Sequence, residues 1–222
     1  MKKLFVYIIC LFTAYSCANG SAPRNQQDND HDFATVPNPK PGEAVATFGG
    51  GCFWSMSEAL SELKGVDQVV AGFAGGTTKN PTYEDVCTRT TGHAEVVQVY
   101  YDPTKISFAT LAEAFFYAHD PTTLNRQGPD EGTDYRSIAF YRTPQEKQTL
   151  QQVIAKVNAG KYYSGKVVTQ VEPFKVFYPA EKYHQGYYRS HGDSPYIQSV
   201  SVPKVLKFRK AIHDQLKPEF QK

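Results

Sequence analysis

An apolar run, Val45-Ala46-Thr47-Phe48, enters three consecutive glycines and leaves them as Cys52-Phe53-Trp54-Ser55-Met56. Few folds accommodate both sides of such a junction. The residues before the glycines have strand character, and the glycines let the backbone turn tightly. Phe53, Met56, Leu60 and Leu63 then recur at helical spacing until Gly65 stops the pattern. The stretch is a strand–turn–helix corner with Cys52 at or beside the first helical turn. Unpaired amide hydrogens and the positive end of the helix dipole gather there, so the placement is expected to lower the thiol's pKa. A buried cysteine of purely structural use is the plainer alternative. The glycine approach, the helix start and the Phe53-Trp54 pair favour a nucleophile.

The rest of the chain builds an α+β domain around this corner. A second strand is expected at Val66 to Phe73, a loop at Gly75 to Thr82, a short turn of helix at Tyr83 to Arg89, and a third strand at Ala94 to Tyr101. Ser107 has the place of an N-cap before the apolar stripe Phe108, Leu111, Ala112, Phe115. A long polar loop, His119 to Tyr135, leads to a strand at Ser137 to Tyr141. Thr143-Pro144-Gln145-Glu146 is a capping box opening a helix with the face Leu150, Val153, Ile154, Val157, which Gly160 ends. Val167 to Val171 is a further strand, and Lys204 to Gln215 a helical tail. The order β-α-β-β-α-β predicts a two-layer sandwich with a ferredoxin-like core, extended at the C-terminus by helix, strand and helix.

The N-terminus has a separate logic. Lys2 and Lys3 precede the apolar run Leu4 to Tyr15, the layout of a secretory signal and short for a membrane span. The segment Ala14-Tyr15-Ser16-Cys17-Ala18 resembles the lipobox of bacterial lipoproteins, which implies a lipid anchor at Cys17. The expected organisation is a signal peptide at 1–16, a flexible polar tether at 17–42, a catalytic domain at 43–213 and a tail at 214–222. The location this implies is an exported bacterial protein, periplasmic or outer-membrane-associated. Without Lys2 and Lys3, the 24 Lys and Arg become 22 against 22 Asp and Glu, which gives no basic face for nucleic acid. Lys204, Lys207, Arg209 and Lys210 on one helical pattern are expected to be a solvated face. Of four cysteines, export leaves Cys52 and Cys87, too few for a disulfide scaffold and without the histidine spacing of a zinc site.

Candidate reactive groups lie in loops and at strand ends. Glu95, entering the third strand between Ala94 and Val96, would be a proton donor if desolvated, against the alternative of a solvent-facing glutamate. The glycine-punctuated loop from Arg126 to Arg136 is of the kind that carries function. Tyr83 would ordinarily be a packing tyrosine and His184 a structural hydrogen-bonder.

Five blocks, in order and at comparable spacing, resemble the A-type peptide methionine sulfoxide reductases between about Val45 and Arg209. They are Gly51-Cys52-Phe53-Trp54; Asn80-Pro81-Thr82-Tyr83 with Val86-Cys87; Thr91-Gly92-His93-Ala94-Glu95; Asn125-Arg126-Gln127-Gly128 through Asp130 to Asp134-Tyr135-Arg136-Ser137; and Tyr183-His184-Gln185. The resemblance implies Cys52 as the nucleophile that becomes a sulfenic acid, and Glu95 as the acid that protonates the sulfoxide oxygen. It implies Tyr83 and Tyr135 as phenols bonding that oxygen, Phe53 and Trp54 as the pocket for the S-methyl group, and Asp130 as a residue that orients the substrate. The implied substrates are the S epimer of methionine sulfoxide, free and in oxidised proteins, with no metal or organic cofactor required; a monomer is the default expectation for the oligomeric state. The family's C-terminal recycling cysteine falls at Ile197 here, and no cysteine follows Cys87. An external reductant, a thioredoxin-like protein or a small thiol, is therefore expected, with Cys87 as a weaker candidate recycler. Two other classes compete: a hydrolase or acyltransferase using Cys52 with His93 or His184, and a non-catalytic binder of methionine-rich surfaces.

Overall fold

The computed structural model describes residues 32–221; the signal-like segment and Cys17 lie outside them. The expected corner is present as strand β1 (Ala44–Gly49) followed by helix α1 (Phe53–Ser61). Next come β2 (Val66–Ala74), α2 (Tyr83–Cys87), β3 (Ala94–Tyr101) and α3 (Phe108–Tyr117). A two-residue hairpin, β4 (Arg126–Gln127) and β5 (Asp130–Glu131), precedes β6 (Ile138–Tyr141) and α4 (Pro144–Ala159). The last third holds β7 (Gln170–Pro173), β8 (Phe177–Pro179), α5 (Tyr187–Ser190) and α6 (Val202–Ala211).

One mixed sheet runs in the order β7-β6-β1-β3-β2-β8, antiparallel at every neighbour except β6–β7. The central strand β3 is buried along all eight residues. The α1 stripe is buried as its spacing required: Phe53, Met56, Leu60 and Leu63 are at most 1% exposed. Phe48 stacks on Phe115 of α3, centroids 4.7 Å apart. Each such ring contributes about 2 kcal/mol through removal of apolar surface from water. Ser107 and Thr143 cap α3 and α4 by accepting from Thr110 N–H and Glu146 N–H.

Several expectations need correction. The polar loop from His119 contains the β4–β5 hairpin, and strand β8 was not anticipated. The packed region exceeds 43–213 at both ends. Ala34 N–H donates to Ala180 O and Tyr100 Oη to Pro37 O, so the end of the expected tether lies against the sheet edge. In the expected tail, Leu216 is fully buried and Lys217 N–H donates to Glu62 O. Arg209, assigned to a solvated face, pairs with the buried Glu62 at 2.6 Å, and Arg189 pairs with Glu58 at 2.8 Å. These two pairs fasten α6 and α5 to α1.

Candidate active site

The β1–α1 turn puts Cys52 where three segments meet. A Cβ on Gly49 would lie 2.7 Å from Glu95 O. Gly51 has φ +85°, and a Cβ there would come within 2.6 Å of the Gln127 side chain. Only glycine lets β3 and the β4–β5 hairpin approach this closely. Cys52 is the N-cap of α1 and makes no side-chain capping bond. The helix's first N–H, on Phe53, instead donates to Glu95 Oε2 at 2.9 Å. Glu95 enters from β3 and is 3% exposed.

Cys52, Trp54, Tyr83, Glu95, Asp130 and Tyr135 line one cavity of about 320 Å³, together with Tyr187, Ser194 and Tyr196. Three other clefts, one of them sharing Trp54, measure 310–360 Å³, so the chemistry of the lining, rather than size, singles this one out. Thr82 caps α2 in a reciprocal box with Asp85, which fixes Tyr83 at the helix's first position. Tyr135 ends the 3₁₀ turn Thr133–Tyr135, whose Asp134 is paired with Arg89 at 3.4 Å. Asp130 Oδ2 accepts from Tyr196 Oη at 2.8 Å and from Lys204 Nζ at 3.3 Å. Phe53 is the one expected site residue that does not line the cavity. Its ring is 1% exposed and packs beneath, against Phe73, Tyr83 and His184.

Burial sets the protonation states. Glu95 is pushed up to about 8, by desolvation first, with the Phe53 N–H opposing. It is therefore mostly a neutral acid at pH 7. The Cys52 thiol is pushed up to about 12, again by desolvation first and then by the Glu95 charge. This reverses the expectation from its helix position. The helix's leading N–H is spent on Glu95, and the small contributions of Tyr196 and the Trp54 N–H do not outweigh the loss of water around the sulfur. Tyr83, Tyr135 and Tyr196 are all raised by burial, so their phenols remain proton donors.

The sequence reading missed Tyr187, Tyr196 and Lys204. Tyr187 stacks on Trp54 at 3.8 Å and 12°. Tyr196 meets the indole edge-on at 5.7 Å and comes within hydrogen-bond reach of the Cys52 sulfur. The signal was the density of tyrosines between 183 and 196. Neither histidine of the hydrolase alternative lines the cavity. His93 is held by Gly76 N–H and the Thr78 carbonyl, and His184 Nδ1 accepts from the Trp54 indole. Cys87 is exposed, one turn along α2 from Tyr83, and its thiol contacts that phenol. Ile197 is buried beside Tyr196. Among the described residues no cluster of three or more His, Cys, Asp or Glu could hold a metal. No helix among them is long and apolar enough to cross a membrane.

Comparison with known proteins bears on the same region. The family model for peptide methionine sulfoxide reductase matches residues 44–216. A peptide methionine sulfoxide reductase MsrA of Saccharolobus solfataricus is 50% identical over 173 residues, covering 78% of this chain and 97% of that protein. MsrA 1 of Rhodopirellula baltica is 46% identical over 178 residues, covering 80% and 92%. Among solved structures, Mxr1 from Saccharomyces cerevisiae in reduced form is similar with TM-score 0.67 and 32% identity, covering 72% of this chain and 92% of that one. Methionine sulfoxide reductase A of Corynebacterium diphtheriae gives TM-score 0.62 and 34% identity, covering 77% and 92%. With the matched region enclosing every lining residue of the cavity, the chain belongs to the peptide methionine sulfoxide reductase family.

Proposed function

We propose that the chain reduces the S epimer of methionine sulfoxide, free and in oxidised proteins, through a sulfenic acid on Cys52. The observation that carries this is the cavity that holds the thiol together with a carboxyl kept neutral by burial and protonated phenols. The sulfoxide oxygen is a poor leaving group until protonated. Glu95 supplies that proton, and Tyr83 and Tyr135 donate to the oxygen as charge develops on it. Trp54, with Tyr187 stacked behind it, offers an apolar wall to the S-methyl group, and Phe53 backs the wall from the core. Asp130 orients the rest of the substrate.

Cys52 Sγ bonds to the sulfoxide sulfur while its thiol proton passes to the Glu95 carboxylate just formed, and Glu95 returns that proton to the oxygen, so the S–O bond breaks and the oxygen leaves as water. Water then adds to Cys52 Sγ and breaks the new S–S bond; the thioether departs with the bonding pair and the surplus proton goes back to Glu95. Cys52 is left as a sulfenic acid. The substrate sulfur gains two electrons and Cys52 loses two. An external dithiol, a thioredoxin-like protein or a small thiol, then returns Cys52 to the thiol and leaves as a disulfide with one water. Cys87 is not needed for either step, and the matched recycling position is the buried Ile197.

The four strands β1, β2, β3 and β6 with their two helices are read as the ferredoxin-like unit, their antiparallel order β6-β1-β3-β2 supporting it. The chain is further read as a monomer exported to the bacterial envelope and anchored through acylated Cys17. Labelled fatty acid incorporated by the wild type and not by Cys17→Ser supports the anchor; equal labelling rejects it.

The test of function is epimer-resolved reduction of a methionine sulfoxide substrate with added dithiol. The S epimer alone should be consumed, activity should vanish in Cys52→Ser, and Cys87→Ser should turn over as the wild type does. Activity surviving Cys52→Ser overturns the scheme.

A further inference from the structure

Behind the cavity lies a group that the proposed chemistry does not use. His184, in the 3₁₀ turn Lys182–His184, is 2% exposed. Its imidazole is packed among Phe53, Tyr83 and Tyr183, with centroids 5.0, 4.4 and 4.1 Å away. The Trp54 indole Nε1–H donates to His184 Nδ1 at 3.1 Å. An indole nitrogen can only donate, so Nδ1 is unprotonated and the neutral ring carries its hydrogen on Nε2. That Nε2 has no hydrogen-bond partner, and neither has Glu181 Oε2, 3.8 Å away. Glu181 is 4% exposed, and its other oxygen accepts the Tyr83 N–H at 3.0 Å. Two adjoining buried polar groups thus back the two walls of the cavity, His184 bonded to the Trp54 ring and Glu181 to the Tyr83 backbone.

We propose that His184 is a positioning residue for the reduction, its Nδ1 setting the angle of the Trp54 indole against the substrate's methyl group, with the Glu181 carboxyl packed beside its Nε2 on the Tyr83 side. This rests on the reductase reading for its kinetic consequence, though not for the hydrogen bond itself. The indole has a face stacked on Tyr187 and an edge toward Tyr196, and neither contact fixes its rotation within its own plane. The bond to His184 does. Burial drives the imidazole pKa down to about 4, which keeps the accepting nitrogen free. A buried polar pair left short of a full hydrogen bond is a cost to folding, and its place behind two cavity walls is the benefit that offsets it.

Trp54 is the only tryptophan of the chain, so a single ¹⁵N–¹H indole cross-peak reports on the contact in the full-length protein. His184→Phe keeps an aromatic ring of similar volume and deletes the acceptor. His184→Asn keeps an acceptor where Nδ1 stands. In His184→Phe the indole proton should move upfield and exchange faster. Its kcat/KM for a methyl sulfoxide should fall on the order of tenfold to a hundredfold, chiefly as a higher KM, because a misplaced wall weakens ground and transition state together. His184→Asn should restore the cross-peak and most of the KM. Glu181→Gln, which retains an acceptor for the Tyr83 N–H, should shift the cross-peak less and in the same direction.

An unmoved indole signal in His184→Phe overturns the proposal. So does a moved signal with wild-type kinetics, or an Asn variant as impaired as the Phe variant. The cross-peak is read without substrate, so absence of wild-type turnover would count against the reductase reading while the hydrogen bond is still judged separately.

Discussion

Replacing Glu95 by glutamine should make the protein more stable and nearly inactive, with a gain that grows with pH. Folding takes a carboxyl of pKa 4.5 to one of about 8 by burying it. The folded state therefore binds this proton more tightly than the unfolded chain does. Below pH 4.5 both forms are protonated and burial carries no ionisation cost. As the pH rises toward 8 the unfolded chain has already lost its proton, and stability falls until the folded form loses its own. At about 1.4 kcal/mol per pKa unit, the cost is roughly 3 kcal/mol at pH 7 and roughly 5 kcal/mol once the pH passes 9. Glutamine escapes this cost, and its carbonyl can still accept the Phe53 N–H. Urea unfolding of wild type and Glu95→Gln at pH 4.5, 7 and 9 measures it. The stability gap should be near zero at the first pH, widen to a few kcal/mol at the second, and widen further at the third. A gap that stays constant or narrows with pH would refute the neutral-acid assignment. The first turnover of the variant should slow by about 10²- to 10⁴-fold, the usual contribution of a general acid, with substrate binding changed far less. Wild-type turnover should decline above pH 8 as the acid ionises.

Arg209→Met strands the buried Glu62 carboxylate and should destabilise by about 3–5 kcal/mol, whereas Glu62→Leu with Arg209→Met should recover most of that in thermal melts. Gly51→Ala forces a side chain into a left-handed backbone conformation and against Gln127, and should lower stability by at least about 1 kcal/mol with loss of turnover. Lys204→Met removes the cation beside Asp130 and should raise KM several-fold with kcat nearly held; a kcat effect alone would speak against a substrate-orienting Asp130.

The features legible in the sequence are local in the chain. The glycine corner, the buried α1 stripe and the Ser107 and Thr143 caps depend on residues within one or two turns, and all are present. Elements of two or three residues, β4, β5 and β8, are too short to show a period and form only because a neighbouring segment offers its edge. Lys204 looked like part of a solvated face because Asp130 lies 74 positions away in sequence. The thiol was misjudged for the same reason. A helix dipole is visible from sequence, while the water removed by Tyr196, Glu95 and Trp54 is visible only once distant segments meet. Tyr183-His184-Gln185 stands out in the sequence, but the bond from Trp54 to His184 spans 130 positions, and no local pattern encodes it.

The latching of α5 and α6 onto α1 by Arg189 and Arg209 has a consequence during synthesis. Tyr187 and Tyr196 complete the cavity, and Lys204 and Arg209 hold its supports, yet all four follow β6 in the chain, well after Cys52 and Glu95. Until the segment after β6 has docked, Cys52 lacks the Tyr187 and Tyr196 side of its cavity, which leaves its sulfur more open to water and oxidants than in the finished fold. Docking of that segment closes the cavity around the thiol.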